Sequence, residues 1–280
     1  MISRFAVCLA VLTVAHPASA QQRPLVTEDP EPIGAGRVLV EAGIDFAHNQ
    51  DYPVSGLKGN LWRIPMIGVS VGLGSIVELQ IDGGPYDRLQ IHERRDAPLS
   101  NLVTAGGATA HDVDDIVIAT KIRLLAEAGG RPAIGLRFAT KLPNASNESG
   151  LGLDTTDFYA SLLAARTIQS VRVVGNLGVG ILADPTSGNR QNDVLTYGVS
   201  FARALTQQVE VVGEINGRAS TRAGGALPGT ESRGLLKVGG RYTRGPIRFD
   251  AGVHLGLTTD DPTIAVTTGF TYVFNAFTIP

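Results

Sequence analysis

Val77-Glu78-Leu79-Gln80-Ile81-Asp82 alternates apolar and polar side chains without a break, the period of a β-strand with one greasy face and one charged face. Arg37 to Phe46 repeats the pattern, with Val38, Val40, Ala42, Ile44 and Phe46 on one side and Arg37, Leu39, Glu41, Gly43 and Asp45 on the other. Period alone does not say which face is enclosed. A soluble barrel or sandwich turns its apolar set inward and its charges outward, whereas a membrane barrel does the reverse.

The rest of the chain favours the membrane barrel. Later strands set Ile118, Thr120 and Ile122 against Lys121 and Arg123, Ile134, Leu136 and Phe138 against Arg137 and Lys141, and Val171 and Val173 against Arg172. Short turns near Gly72 to Ser75, Gly129-Gly130, Thr167 to Ser170, Thr206 and Gly245-Pro246 alternate with longer connections at Pro143 to Gly152, Asp184 to Asn192 and Arg218 to Ser232. One rim of tight turns and one of long loops is the signature of an up-and-down barrel in an outer membrane, and strands of about ten to twelve residues cross its hydrocarbon when tilted. The second strand is expected at about Leu61 to Val71. Gly83 to Asp112, with Arg88, His92, Glu93, Arg94, Arg95 and Asp96, is too polar to span and is expected as the longest loop. The reading is all-β, a transmembrane antiparallel up-and-down β-barrel of about 12 strands, an even number with both chain ends on the short-turn side.

Residues 1–20 have the parts of a secretory signal: Arg4, an apolar run from Phe5 to Ala15, and the small residues Ala18, Ser19 and Ala20 before an expected cut. The single cysteine, Cys8, leaves with it, so the exported chain has no disulfides. Losing Arg4 moves the formal net charge from -2 to -3, which gives no bulk attraction to nucleic acid. No apolar stretch reaches the roughly twenty residues of a spanning helix. The 34 glycines suit a punctuated β protein. The expected organisation is a signal at 1–20, a periplasmic N-terminal segment at 21–35, a barrel at 36–274 and a tail at 275–280.

Charge on the inner face carries the functional content. Lys121, Arg123, Arg137, Lys141 and Arg172 come from neighbouring strands, and Glu41, Asp45, Glu78 and Asp82 come from the first and third strands. These nine are the candidate lumen and selectivity residues, and walls of opposite sign facing each other would orient polar solutes. The plain alternative is that they pair and merely stiffen a narrow barrel. His111, Asp112, Asp114 and Asp115 have calcium-like chemistry without EF-hand spacing, so no metal is expected. His254 and Asp250 share a strand face, but no serine stands at a readable spacing to complete a hydrolytic triad, and no catalytic residue is assigned. Gly175, Gly178 and Gly180 lack the helix that a nucleotide loop requires. The last strand ends in the alternating aromatics Phe270, Tyr272 and Phe274, like the signal by which outer-membrane barrels are recognised for assembly.

Arg23-Pro24-Leu25-Val26-Thr27-Glu28-Asp29-Pro30 followed by Gly34 and Gly36, the stretch Asp115 to Glu127 with Lys121-Ile122-Arg123-Leu124-Leu125, and Leu136 to Pro143 ending Thr140-Lys141-Leu142-Pro143 together resemble the bacterial outer-membrane family labelled as the MetA pathway of phenol degradation. The resemblance runs along nearly all of the chain after the signal. It implies an outer-membrane channel or transporter, distantly similar to those for fatty acids and aromatic hydrocarbons, with no catalytic motif. The expected function is passage of small organic solutes, aromatic or hydrophobic ones included, with outer-membrane lipid, the solute and the assembly machinery as partners, and no cofactor or nucleic acid. The alternative is a structural or surface-interaction barrel with a plugged lumen.

Overall fold

The computed structural model describes residues 23–278; the expected signal, Cys8 and the cut after Ala20 lie outside them. Fourteen strands form one antiparallel sheet: β1 (Arg37–Tyr52), β2 (Leu57–Gly72), β3 (Val77–Gly83), β4 (Asp87–Arg94), β5 (Thr109–Asp112), β6 (Val117–Leu125), β7 (Ala133–Lys141), β8 (Asp157–Ile168), β9 (Val171–Ala183), β10 (Gln191–Ala204), β11 (Val209–Ser220), β12 (Arg233–Arg244), β13 (Ile247–Gly256) and β14 (Ile264–Asn275). β1 pairs with β2 on one side and β14 on the other, so the sheet closes on itself. β3 and β4 are two halves of one stave, bonded to the lower and upper parts of β2, and β6 and β5 continue them as the next stave. The wall therefore has twelve staves.

The ladders of β1 to β2 and to β14 close the spanning wall, whose strands bond to neighbours on both sides as hydrocarbon requires, while above it the short β5 pairs with β4 alone. The outward face is apolar: Leu177 is 57% exposed and Val199 60%, while the inward Lys121 is 0% exposed. Greasy side chains turned to lipid and ionised ones enclosed is the membrane arrangement. Outward aromatics sit toward the short-turn rim at Tyr242, Tyr272 and Phe274, where rings of this kind favour the interface.

Two boundaries differ from the sequence reading. β1 and β2 run six and four residues further than expected and meet at the four-residue turn 53–56, which is the long-loop rim's one tight connection. Residues 83–112 are not a plain loop, because Asp87–Arg94 and Thr109–Asp112 are strands of the wall. Their polarity is inverted relative to the spanning part. Leu89 and Ala110 point inward and are buried with Ala47, Leu57, Leu61 and Ala265, whereas Arg88, Gln90 and His111 are exposed. This upper end projects past the lipid, where water solvates outward charge and an apolar interior is again favourable.

Candidate functional site

Residues 23–35, expected in the periplasm, run through the barrel interior. Arg23 donates to the hydroxyl oxygen of Thr267 at 2.8 Å and lies 3.5 Å from Asp250. The backbone N–H groups of Val26 and Thr27 donate to Glu214 at 2.9 and 2.6 Å, and Glu28 exchanges backbone bonds with the Asn176 amide, donating at 2.7 Å and accepting at 2.8 Å. Ile33 N–H reaches Glu78 at 2.7 Å. A segment without a ladder of its own must satisfy its backbone somewhere, and these wall side chains do it.

Inward glycines make the seat. A β-carbon on Gly198 would lie 2.7 Å from the Thr27 hydroxyl, and one on Gly239 would lie 2.9 Å from Pro24, so the wall is bare where the segment presses against it. The segment leaves the lumen beside Gly36, whose φ is +70° and where an added β-carbon would lie 2.0 Å from the Phe277 carbonyl oxygen, so no side chain is admitted.

The sequence-derived cations mostly face this segment. Lys121 lies 3.2 Å from Glu78 and 3.4 Å from Glu28; Arg137 lies 3.1 Å from Glu28 and donates to Gln80 at 2.8 Å. Arg172 grips Asp29 at 2.7 and 2.8 Å, and Arg123 pairs with Glu31. Lys141, higher up, binds Asp115 at 2.8 Å and Asp157 at 3.3 Å. Glu78 and Lys121 are register partners on the adjoining β3 and β6, so these acids and bases abut along the wall where the sequence reading had them face each other across the lumen. Glu41 accepts from Thr271 at 3.0 Å and Asp45 accepts from Thr267, while Asp82 flanks Gly68 opposite Glu41.

Other candidates do not converge. His111 stacks on Tyr86 outside the barrel, Asp112 caps Ser146 N–H at 2.8 Å and Asp115 serves Lys141, so this stretch forms no ligand set. Asp250 is committed to Arg23 and does not orient His254, whose Nε2 has no hydrogen-bond partner. Phe270, Tyr272 and Phe274 all point outward along β14, the last two with ring centroids 5.3 Å apart.

What remains of the interior is a series of chambers. One of about 440 Å³ lies at mid-depth between Pro24, Glu41, Asp82, Arg137, Lys237 and His254. A vestibule of about 260 Å³ sits above it under the loops, lined by Tyr52, Gly150, Arg218 and Arg233, and shares Lys141 and Tyr159 with the lower chamber. A third, also about 260 Å³, shares Gln50 and Arg233 with the vestibule and His254 with the mid chamber.

The family described as "Putative MetA-pathway of phenol degradation" matches residues 23–274, the lumen segment and the whole wall together. The chain belongs to this family. Among solved structures, the COG4313 outer membrane channel from Pseudomonas putida F1 superposes with a TM-score of 0.60 at 12% identity, covering 88% of this chain and 98% of that one. The NanC porin gives 0.53 at 7% identity over 84% and 98%. At such identities the likeness is one of fold. No curated protein matches. For this member of the phenol-degradation family the sequence reading missed Glu28, Asp29 and Glu31 as lumen groups. Their signal was the run of glycines on inward positions, which a filled lumen requires and an empty one does not.

Proposed function

We propose that the protein is an outer-membrane channel that passes small organic solutes through the barrel, past the N-terminal segment, with the inward charges lining the route. The observation that carries this reading is the chain of chambers sharing walls from the vestibule to mid-depth. A family description that names phenol degradation and a structural neighbour named as a channel both favour it. Lys121, Arg123, Arg137 and Arg172 act first as the seat of the segment, and Lys141, Glu41, Asp45 and Asp82 face the open space. Phe270, Tyr272 and Phe274 are, on this reading, the outward stripe that the assembly machinery meets. The apolar cluster around Leu57, Leu61 and Leu89 in the upper interior favours a second reading, a sealed barrel acting through its surface loops.

Conductance separates the two. Tyr159 stands where the vestibule, the mid chamber and a smaller cavity beside Asn176 meet. The purified full chain should give discrete channels in planar bilayers and let phenol-sized solutes swell liposomes, and Tyr159→Ala should raise both at least twofold. A silent bilayer and unswollen liposomes for both proteins reject the channel.

A further inference from the structure

Arg218 on β11 and Arg233 on β12 are register partners, directly opposite each other on the inner face of the vestibule. Like charges placed opposite across a ladder repel, and neither arginine forms an ion pair among the described residues. Their partners are carbonyls. Arg218 donates through Nε to Glu231 O and through Nη2 to Gly229 O, both at 2.9 Å; Arg233 donates through Nη1 to Asp260 O at 2.6 Å. Carbonyls fix the two forks in place without neutralising them, and Arg218 Nη1 and Arg233 Nε and Nη2 are left uncommitted.

Three of the carboxylates nearby sit in ion pairs of their own. Asp51 is held by Arg95, and Asp115 and Asp157 share Lys141. Glu231, on the loop above, accepts at Oε1 from Gly229 N–H at 2.8 Å, and its Oε2 is buried with no hydrogen-bond partner among the described residues. Two guanidinium forks held by carbonyls and engaged in no ion pair among the described residues, in a cavity open to the loops, are the arrangement that takes a carboxylate by paired N–H donors. Tyr52 and Tyr159 line the same cavity, and about 260 Å³ sits below the usual range of ligand cavities, so the guest is small.

We propose that the vestibule is a binding site for small organic carboxylates of aromatic size, held between Arg218 and Arg233. The proposal rests on the channel reading for its purpose, since it names the class of solute first captured from outside, but the binding itself does not require conduction.

Titration calorimetry on the full chain in detergent, with benzoate, benzyl alcohol and benzylammonium as probes, tests it. Benzoate should bind at least tenfold tighter than either the neutral or the cationic probe and should weaken as chloride is raised. Arg218→Gln with Arg233→Gln should weaken benzoate at least tenfold and leave benzyl alcohol unmoved. Heat-modified electrophoretic migration reports whether that variant folds, and Arg233→Lys, which keeps the charge and loses the fork, should show an intermediate loss. Benzoate binding no tighter than benzyl alcohol in the unaltered protein overturns the site, whatever the variants do. Benzoate binding without channel currents would leave the site standing and remove the channel.

Discussion

Lys121 is the residue on which the interior turns. Its ammonium is wholly enclosed, and its two carboxylates come from different parts of the chain, Glu78 on the wall and Glu28 on the inserted segment. Gln80 completes the group by donating to Glu78 at 2.8 Å and to Glu28 at 3.3 Å. Burying such a cluster stabilises little in net terms, because desolvation offsets the attraction, but removing one partner strands the others. Lys121→Met should therefore cost roughly 3–5 kcal/mol, read as a lower midpoint for thermal loss of the heat-modified band. Adding Glu78→Gln should recover part of that, since it removes one of two carboxylates left facing each other. A Lys121→Met protein as stable as the original would show the cluster to be solvated. Sequence alternation marked Lys121 and Glu78 as inward, because period two is a property of each strand by itself. It gave no hint of Glu28, whose place depends on contacts ninety residues apart.

At the level of elements, the spanning strands were legible and the upper wall was not, for one physical reason. Hydrocarbon imposes a single polarity, so β7, β8, β13 and β14 show outward Phe138, Phe158, Phe249 and Phe270 as their sequences suggest. Above the lipid that constraint ends. β4 reads as charged loop because its outward residues, Arg88, Gln90 and His92, meet water, while its inward Leu89 is fully enclosed. The helical and loop signals of a sequence do not distinguish such a strand from a polar connection, and only its pairing with β2 does. The inversion is testable in one strand. Leu89→Ala should cost about 2–5 kcal/mol through the cavity it leaves, and Gln90→Ala should stay within about 0.5 kcal/mol, both measured by urea unfolding in micelles. Equal effects would mean that the upper interior is wet and the strand not part of the wall.

For the molecule as a whole, the inserted segment decides what the lumen is. A barrel of about twelve strands is wide enough to hold more than its own side chains, and residues 23–35 supply the filling, with Glu28, Asp29 and Glu31 balancing Lys121, Arg137, Arg172 and Arg123. The ladder that closes the wall does not involve the segment, since β1 begins at Arg37 and bonds to β2 and β14 directly. Deleting residues 24–33 should thus leave a folded barrel, less stable but closed. Its lumen would lose three acids and no base: Arg123 and Arg137 would lose their ion pairs along one side of a wider passage, while Lys121 would keep Glu78 and Arg172 would keep Glu127. Enclosed uncompensated charge focuses the field and admits the opposite ion. The deleted protein should conduct severalfold more than the full chain in planar bilayers and shift its reversal potential toward the anion in a potassium chloride gradient. Larger currents with unchanged selectivity would show that Arg123 and Arg137 find carboxylates elsewhere on the wall, and unchanged currents would show that the loops, not the segment, set the bore.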